Sequence, residues 1–355
     1  MAVRTILVAA GGTGGHLYPG IAVADELKHR DPSLRVVFAG TPRGLESRIV
    51  SRAGYPLELL PILPLNGVGL GRTLLGLLAL PWGLLCALRL VLRLRPVAVL
   101  GVGGYAGGPV ALVAALLGVR TVILEPNAKP GFTNRVLRPF VDAAACAWED
   151  ARVFYGDKGV LTGNPVRGGF AALAAKTSGP MKTVLVFGGS QGSRVLNEAM
   201  TRALSHLPGP ERLRLVHQTG PAQREVVAAA YAQAGREANV VPYLDDMEGQ
   251  FAAADLVVSR SGATTCAELQ AAGKPAVLVP FARAADDHQR VNAQAMEAKG
   301  AAVMVEERSL TGESLARTTL GLLQDEARLA AMGRAARSLS RPDAAARVAD
   351  LLVGA

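Results

Sequence analysis

The stretch "TILVAAGGTGGH", residues 5–16, decides the fold. Six strand-forming residues run directly into a cluster of four glycines, and an aliphatic helical segment follows. A short apolar run bounded by glycine reads as a buried strand, and the glycines let the chain turn tightly into a helix. The same design returns at "TVLVFGGSQGSR", residues 183–194. The first turn glycines, Gly11 and Gly188, stand half of the 355-residue chain apart. Two Rossmann-like halves follow from this repetition, with a break near "TGNPVRGGF", 162–170, where glycine and proline interrupt the periodicity.

Further strand-length runs lie at 35–40, 96–101, 121–125, 214–220, 255–262, 275–281 and 301–307, separated by Ala- and Leu-rich helical segments. Runs that are apolar on both faces and alternate with helices belong to parallel sheets. The expected class is therefore α/β and doubly wound, with two Rossmann-like domains whose parallel sheets face a cleft. The domain boundaries read as 1–163 and 164–340, and the cleft is the expected ligand site.

Thirty-eight Lys and Arg against 29 Asp and Glu give a net charge of +9, which suits an anionic partner. Nucleic acid is not expected, because the basic residues are scattered, aromatics make up only 5%, and no nucleic-acid-reading motif is present. Cys86, Cys146 and Cys266 are far apart and odd in number, which fits a reducing cytosol. The first apolar run is too short for a signal peptide and reads as a strand.

One segment stands out. Leu74 to Leu88, "LLGLLALPWGLLCAL", carries no charge and is bracketed by Arg72 and Arg89. It is shorter than the roughly 20 residues of a spanning helix, and Pro81 interrupts it. It reads either as a buried helix or as an interfacial patch, in which Leu74, Leu75, Leu77, Leu78, Trp82, Leu84 and Leu85 meet acyl chains while Arg72 and Arg89 meet anionic headgroups.

Four loops lie where a doubly wound sheet collects ligands: "GGTGGH" 11–16, "GVGGYAGGP" 101–109, "GGSQGSR" 188–194 and "SRSGATTCAEL" 259–269. A glycine loop followed by a helix start presents free N–H groups and a positive dipole end to an anion, or is simply a close helix–strand turn. The nicotinamide fingerprint fails, since Leu17 replaces its last glycine and the second strand ends "VFAGTPRG" without an acid. No Walker A sequence is present either. Ala263, Thr264 and Thr265 are expected to open a helix that donates to phosphate, with Glu268 one turn on, placed to accept from ribose hydroxyls. His16 is either a general base or a helix cap.

In this order, "GGTGGHLYPG", "GVGGYAGGP", "EPNAKPGFTNR", "TGNPVR", "GGSQGS", "SRSGATTCAEL" and "DDHQRVNA" resemble the MurG family of bacterial peptidoglycan glycosyltransferases, over roughly residues 3–340. The resemblance implies a GT-B fold in which a C-terminal helix, 341–355, returns to the first domain. It implies transfer of N-acetylglucosamine from UDP-GlcNAc to a lipid-linked muramyl-pentapeptide at the cytoplasmic face of the membrane. By the same resemblance Arg167 and Leu244 match uracil contacts, Glu268 the ribose ligand, and Ser190 with Ala263, Thr264 and Thr265 the diphosphate contacts. Asn127 and Gln289 match sugar-binding positions, and Thr13, Gly14 and Gly15 the loop facing the donor sugar. His16 ranks first as base, Glu125 second, and Tyr105 as an orienting group. No cofactor is implied, and no D-x-D metal motif stands at a strand end. Leu124 and Pro126 depart from the family's "HEQN", and His288 replaces a frequent glutamine. A sugar-nucleotide epimerase and a non-catalytic UDP-sugar-binding protein are the competing readings.

Overall fold

The computed structural model describes residues 4–11, 14–42, 45–62, 70–174, 176 and 179–354, without the side chains of residues 70–78, Tyr105 and Ala285. The chain divides into unit 1, Met1–Arg167 with Arg341–Ala355, and unit 2, Gly168–Ser340.

Unit 1 holds seven strands: β1 (Thr5–Ala10), β2 (Arg35–Gly40), β3 (Leu57–Leu59), β4 (Ala98–Gly103), β5 (Arg120–Glu125), β6 (Ala143–Cys146) and β7 (Gly159–Leu161). They form one parallel sheet in the order β3-β2-β1-β4-β5-β6-β7. Its helices are α1 (Gly14–Arg30), α2 (Glu46–Arg52), α3 (Leu70–Leu94), α4 (Gly104–Leu116), α5 (Phe132–Leu137) and α6 (Glu149–Tyr155).

Unit 2 repeats the plan with β8 (Lys182–Phe187), β9 (Leu213–Gln218), β10 (Ala238–Val241), β11 (Leu256–Ser259), β12 (Ala276–Leu278) and β13 (Ala302–Met304), in the order β10-β9-β8-β11-β12-β13. Its helices are α7 (Gly168–Ala171), α8 (Arg194–Ala203), α9 (Arg224–Gln233), α10 (Met247–Ala253), α11 (Ala263–Ala272), α12 (His288–Ala298), α13 (Gly312–Leu323) and α14 (Glu326–Leu339). The last helix, α15 (Ala344–Val353), belongs to unit 1.

All nine expected strands are present, because each is apolar on both faces and its side chains are buried by helices on either side. Four strands carry no comparable signal. "AAAC" of β6 lacks branched residues, β3 and β7 are three residues long, and β10 opens with Ala-Asn. Their strand state comes from pairing with a formed neighbour, as in Val122↔Ala143 and Phe38↔Leu57.

In both sheets the order reverses beside the first strand, between β1 and β4 and between β8 and β11. Such a switch point opens a crevice at the carboxyl ends of the strands, because the flanking loops depart to opposite faces. The glycine loops of both units are located there.

Helix α15 closes unit 1. Val348, Ala349 and Leu352 join the core that includes Ile6, Val8 and Leu100, and Arg30 pairs with Asp350 and donates to the Ala346 carbonyl at 3.2 Å.

Helix α3 is amphipathic. Ala87, Leu90 and Val91 are buried against the sheet, while Trp82 is 52% and Leu92 55% exposed. No described helix is long and apolar enough to cross a membrane.

The core of unit 2 contains a polar relay. His217 on β9 is fully buried, with Nδ1 3.1 Å from the Tyr231 hydroxyl and Nε2 3.0 Å from Asn197 Oδ1. Asn197 uses its amide N–H groups on the Thr219 carbonyl and Gln223 Oε1, so its Oδ1 accepts from Nε2–H, and Nδ1 accepts from the tyrosine. The ring is thereby satisfied only when neutral, and burial pulls its pKa down to about 4. Protonation is therefore easier in the unfolded chain. The stability this histidine permits is complete above about pH 6.5 and is lost as pH falls from there towards 4, by about 3 kcal/mol. Denaturant titrations across that range should show the slope, and His217→Gln should flatten it.

Candidate functional site

At the unit 1 switch point two glycine loops interlock. Gly11 donates to the Gly103 carbonyl at 3.3 Å, and Gly104 packs so closely on Gly11 that a Cβ there would collide with the Gly11 carbonyl. Gly103 and Gly104 have φ of 110° and 74°, a region open to glycine. His16, in the first turn of α1, lies against Gly103, where a Cβ would be 2.7 Å from its Cδ2 and 3.0 Å from its Nε2. The missing side chains thus make a seat for the imidazole, which is half-buried at the carboxyl end of the sheet. Gly14 and Gly15 open the same helix. Thr13 and the side chain of Tyr105 lie outside the described residues.

Glu125 corrects an expectation. It ends β5 with no exposed surface. Oε1 accepts from Asn127 N at 3.1 Å and Asn127 Nδ2 at 3.2 Å, and Oε2 from Gly131 N and Asn134 Nδ2, both at 2.9 Å. Burial pushes its pKa up, and these four hydrogen bonds oppose the shift. An enclosed carboxylate with both oxygens engaged cannot receive a proton from an arriving hydroxyl. Its geometry is that of a clasp on the "EPNAKPGFTN" loop, and it holds Asn127 half-buried at the loop's start.

Arg167, the last residue of unit 1, lays its guanidinium 4.4 Å from the centre of the Tyr18 ring. On α3, Trp82 and Leu85 are exposed and Arg89 stands 5.7 Å over the Trp82 ring. Leu84 departs from the expected outward face and packs on the core, because its position on the helix faces the sheet side with Ala87 and Val91. The side chains of Arg72, Leu74, Leu75, Leu77 and Leu78 lie outside the described residues.

At the unit 2 switch point two ten-residue helices start side by side in the topology, α8 after β8 and α11 after β11. Helix α11 opens at Ala263, with Thr264 and Thr265 in its first turn, as the sequence predicts. Glu268 follows one turn on and is 6% exposed. Helix α8 starts at Arg194, where Ser193 Oγ accepts from Leu196 N at 3.3 Å. Ser190 belongs to the preceding turn, whose Gly192 presses backbone to backbone on Thr219. Ser-Gln-Gly turns more readily than it coils, and the serine able to cap lies three residues further on.

A cavity of about 500 Å³ opens beside the start of α8 and past the end of β11, lined by Gly188, Ser193, Arg194, Arg260, Phe281 and Gln289 among others. Gln289 is the one predicted residue among those lining it. Its Oε1 accepts from Phe281 N at 3.1 Å and its carbonyl accepts from Ser261 Oγ at 2.8 Å. Leu244 is buried in the loop between β10 and α10. Among the described residues no cluster of three or more His, Cys, Asp or Glu could hold a metal.

Arg260 was not singled out from the sequence. It is 7% exposed, donates Nη1 to the Val279 and Pro280 carbonyls at 3.1 Å each, ion-pairs with Glu307, and stands 5.4 Å from the Phe281 ring centre. Burial lowers its pKa and Glu307 counteracts this. The available signal was an arginine between an apolar strand and a glycine helix start.

The comparisons agree with this architecture. Residues 6–146 match the glycosyltransferase family 28 N-terminal domain and residues 183–348 its C-terminal domain. Relatives named UDP-N-acetylglucosamine--N-acetylmuramyl-(pentapeptide) pyrophosphoryl-undecaprenol N-acetylglucosamine transferase occur in Anaeromyxobacter sp. (strain Fw109-5) and Myxococcus xanthus (strain DK1622). The first is 49% and the second 47% identical, and in each case the match covers 98% of this chain and 92% of the relative. The crystal structure of Acinetobacter baumannii MurG is similar with a TM-score of 0.79 and 32% identity, over 99% of this chain and 100% of that one. The chain therefore belongs to glycosyltransferase family 28 and, within it, to the MurG family of UDP-GlcNAc-dependent N-acetylglucosamine transferases.

Proposed function

We propose that the chain moves N-acetylglucosamine from UDP-GlcNAc to the C4 hydroxyl of undecaprenyl-diphosphoryl-N-acetylmuramyl-pentapeptide, with inversion, while resting peripherally on the cytoplasmic face of the membrane. The observation that carries this reading is the content of the two switch points. One presents an imidazole on a glycine seat, and the other presents the starts of α8 and α11 on adjacent strands, with a cavity beside the α8 start.

The starts of α8 and α11 supply positive dipole ends and free N–H groups for the leaving diphosphate. Glu268 takes the ribose hydroxyls, Leu244 gives the base an apolar wall, and Gln289 orients the sugar. His16 takes the proton of the acceptor hydroxyl as it attacks the anomeric carbon from the face opposite UDP. Asn127, fixed by Glu125, completes the sugar contacts. The exposed Trp82 and Leu85, with Arg89 beside them, bring the enzyme to an anionic leaflet where the acceptor resides.

Purified protein should transfer labelled sugar to the polyprenyl-linked acceptor in anionic vesicles, and no transfer by folded protein would overturn the reading. Release of free UDP without acceptor would instead indicate an epimerase. The double variant Trp82→Ser, Leu85→Ser should lower transfer in vesicles at least fivefold and leave transfer to a short-chain acceptor in solution unchanged.

A further inference from the structure

A second cavity of about 490 Å³ lies in unit 2 at the amino-terminal ends of β8, β11 and β12, the end of the sheet opposite the glycine loops. Its lining carries five cations, from Lys176, Lys182, Lys274, Arg334 and Arg337, against two carboxylates, Asp255 and Glu326. The rest is apolar, with Ala254, Pro275, Leu329 and Ala330. A volume of this size suits a small metabolite rather than a bare ion.

The carboxylates are already engaged. Asp255 Oδ2 accepts from Lys176 Nζ at 2.5 Å and from Thr183 N at 2.7 Å, and Glu326 pairs with Lys182 at 2.6 Å. Arg337 spends its N–H groups on the carbonyls of Ala171, Leu173, Ala271 and Ala272. Lys274 and Arg334 stand outside these ion pairs. Lys274 Nζ donates to Ala252 O at 3.2 Å and Ala254 O at 2.8 Å, which leaves one of its three N–H bonds. Arg334, exposed on α14, makes no ion pair among the described residues.

We propose that this cavity binds a small phosphomonoester with an apolar or aromatic body, its phosphate held by Lys274 and Arg334 and its body against Pro275, Leu329 and Ala330. Lys274 gives the site a proton linkage. Only 4% exposed, its ammonium is desolvated, and burial pulls its pKa down to about 8. Asp255 opposes that shift, and Lys176 and Arg337 reinforce it. Lys182 on β8 and Glu326 and Arg334 on α14 complete the charged surroundings. A dianion favours the charged amine, so binding takes up a proton, and affinity falls as pH rises through about 8.

The test is calorimetric titration of the full-length protein with phenyl phosphate, the donor site being saturated with UDP. Saturable one-to-one binding is expected, tighter than that of inorganic phosphate and about tenfold weaker at pH 9.5 than at pH 7.5. Arg334→Glu, a surface change, should weaken binding at least fivefold and leave UDP affinity unchanged, and Lys274→Met should remove the pH dependence. Absence of saturable binding would overturn the proposal, as would equal affinity in the parent and both variants. Vesicles of phosphatidylglycerol that bind through Arg334 without competition by phenyl phosphate would assign the cavity to a lipid headgroup, and overturn it too.

Discussion

His16→Ala is expected to lower turnover by about 10²–10⁴-fold, the usual contribution of a positioned general base, and to leave UDP affinity within about twofold of the parent. The separation follows from the architecture. The imidazole is carried by α1 of unit 1, whereas both helix starts assigned to the diphosphate are in unit 2. Steady-state kinetics with the lipid acceptor, beside calorimetry with UDP, would check both halves of this expectation. A loss confined to donor affinity, with kcat intact, would remove His16 from the reaction. If His16 were only a helix cap, the variant would melt earlier and react at a normal rate.

Gly104→Ala is the second large effect. At φ 74° an alanine pays the left-handed strain, and its Cβ would meet the Gly11 carbonyl, which is backbone and cannot rotate away. Together these should cost about 3–5 kcal/mol, unless the two loops part. If they part, His16 leaves its seat on Gly103, and a shift of about 1 Å is enough for a further ~10²-fold loss in turnover. Thermal melting should therefore fall by roughly 10 °C, or transfer should collapse with the melting point preserved. Either outcome ties the glycines to loop geometry. Unchanged melting and unchanged turnover would refute the interlock.

The unit 1 glycines, which as a sequence resemble a phosphate loop, thus have a different physical task. Gly11, Gly103 and Gly104 allow two strand ends to touch backbone to backbone, and the space they leave is filled by an imidazole. In unit 2 Gly192 does the equivalent against Thr219. The proposed function gives the diphosphate to the helix starts of unit 2 instead.

The sequence alone determined the nine strong strands, the doubled Rossmann plan, the helix opening at Ala263 and the family. Those features are local or ordered along the chain: apolar runs on both faces, glycine at strand ends, and seven motifs in sequence. Tertiary structure alone decided what neighbours impose. The "AAAC" strand exists because β5 offers it a ladder, and α8 starts at Arg194 because Ser193 can cap there. Glu125 is a clasp because four donors from residues two to nine positions away close over it, and Leu84 turns inward because its neighbours on α3 face the sheet. Arg260 meets Glu307 across 47 residues, and the second cavity gathers Lys182, Lys274 and Arg334 from distant segments. Burial, hydrogen-bond satisfaction and charge pairing depend on which groups exclude water from one another, and only the folded chain brings those groups together.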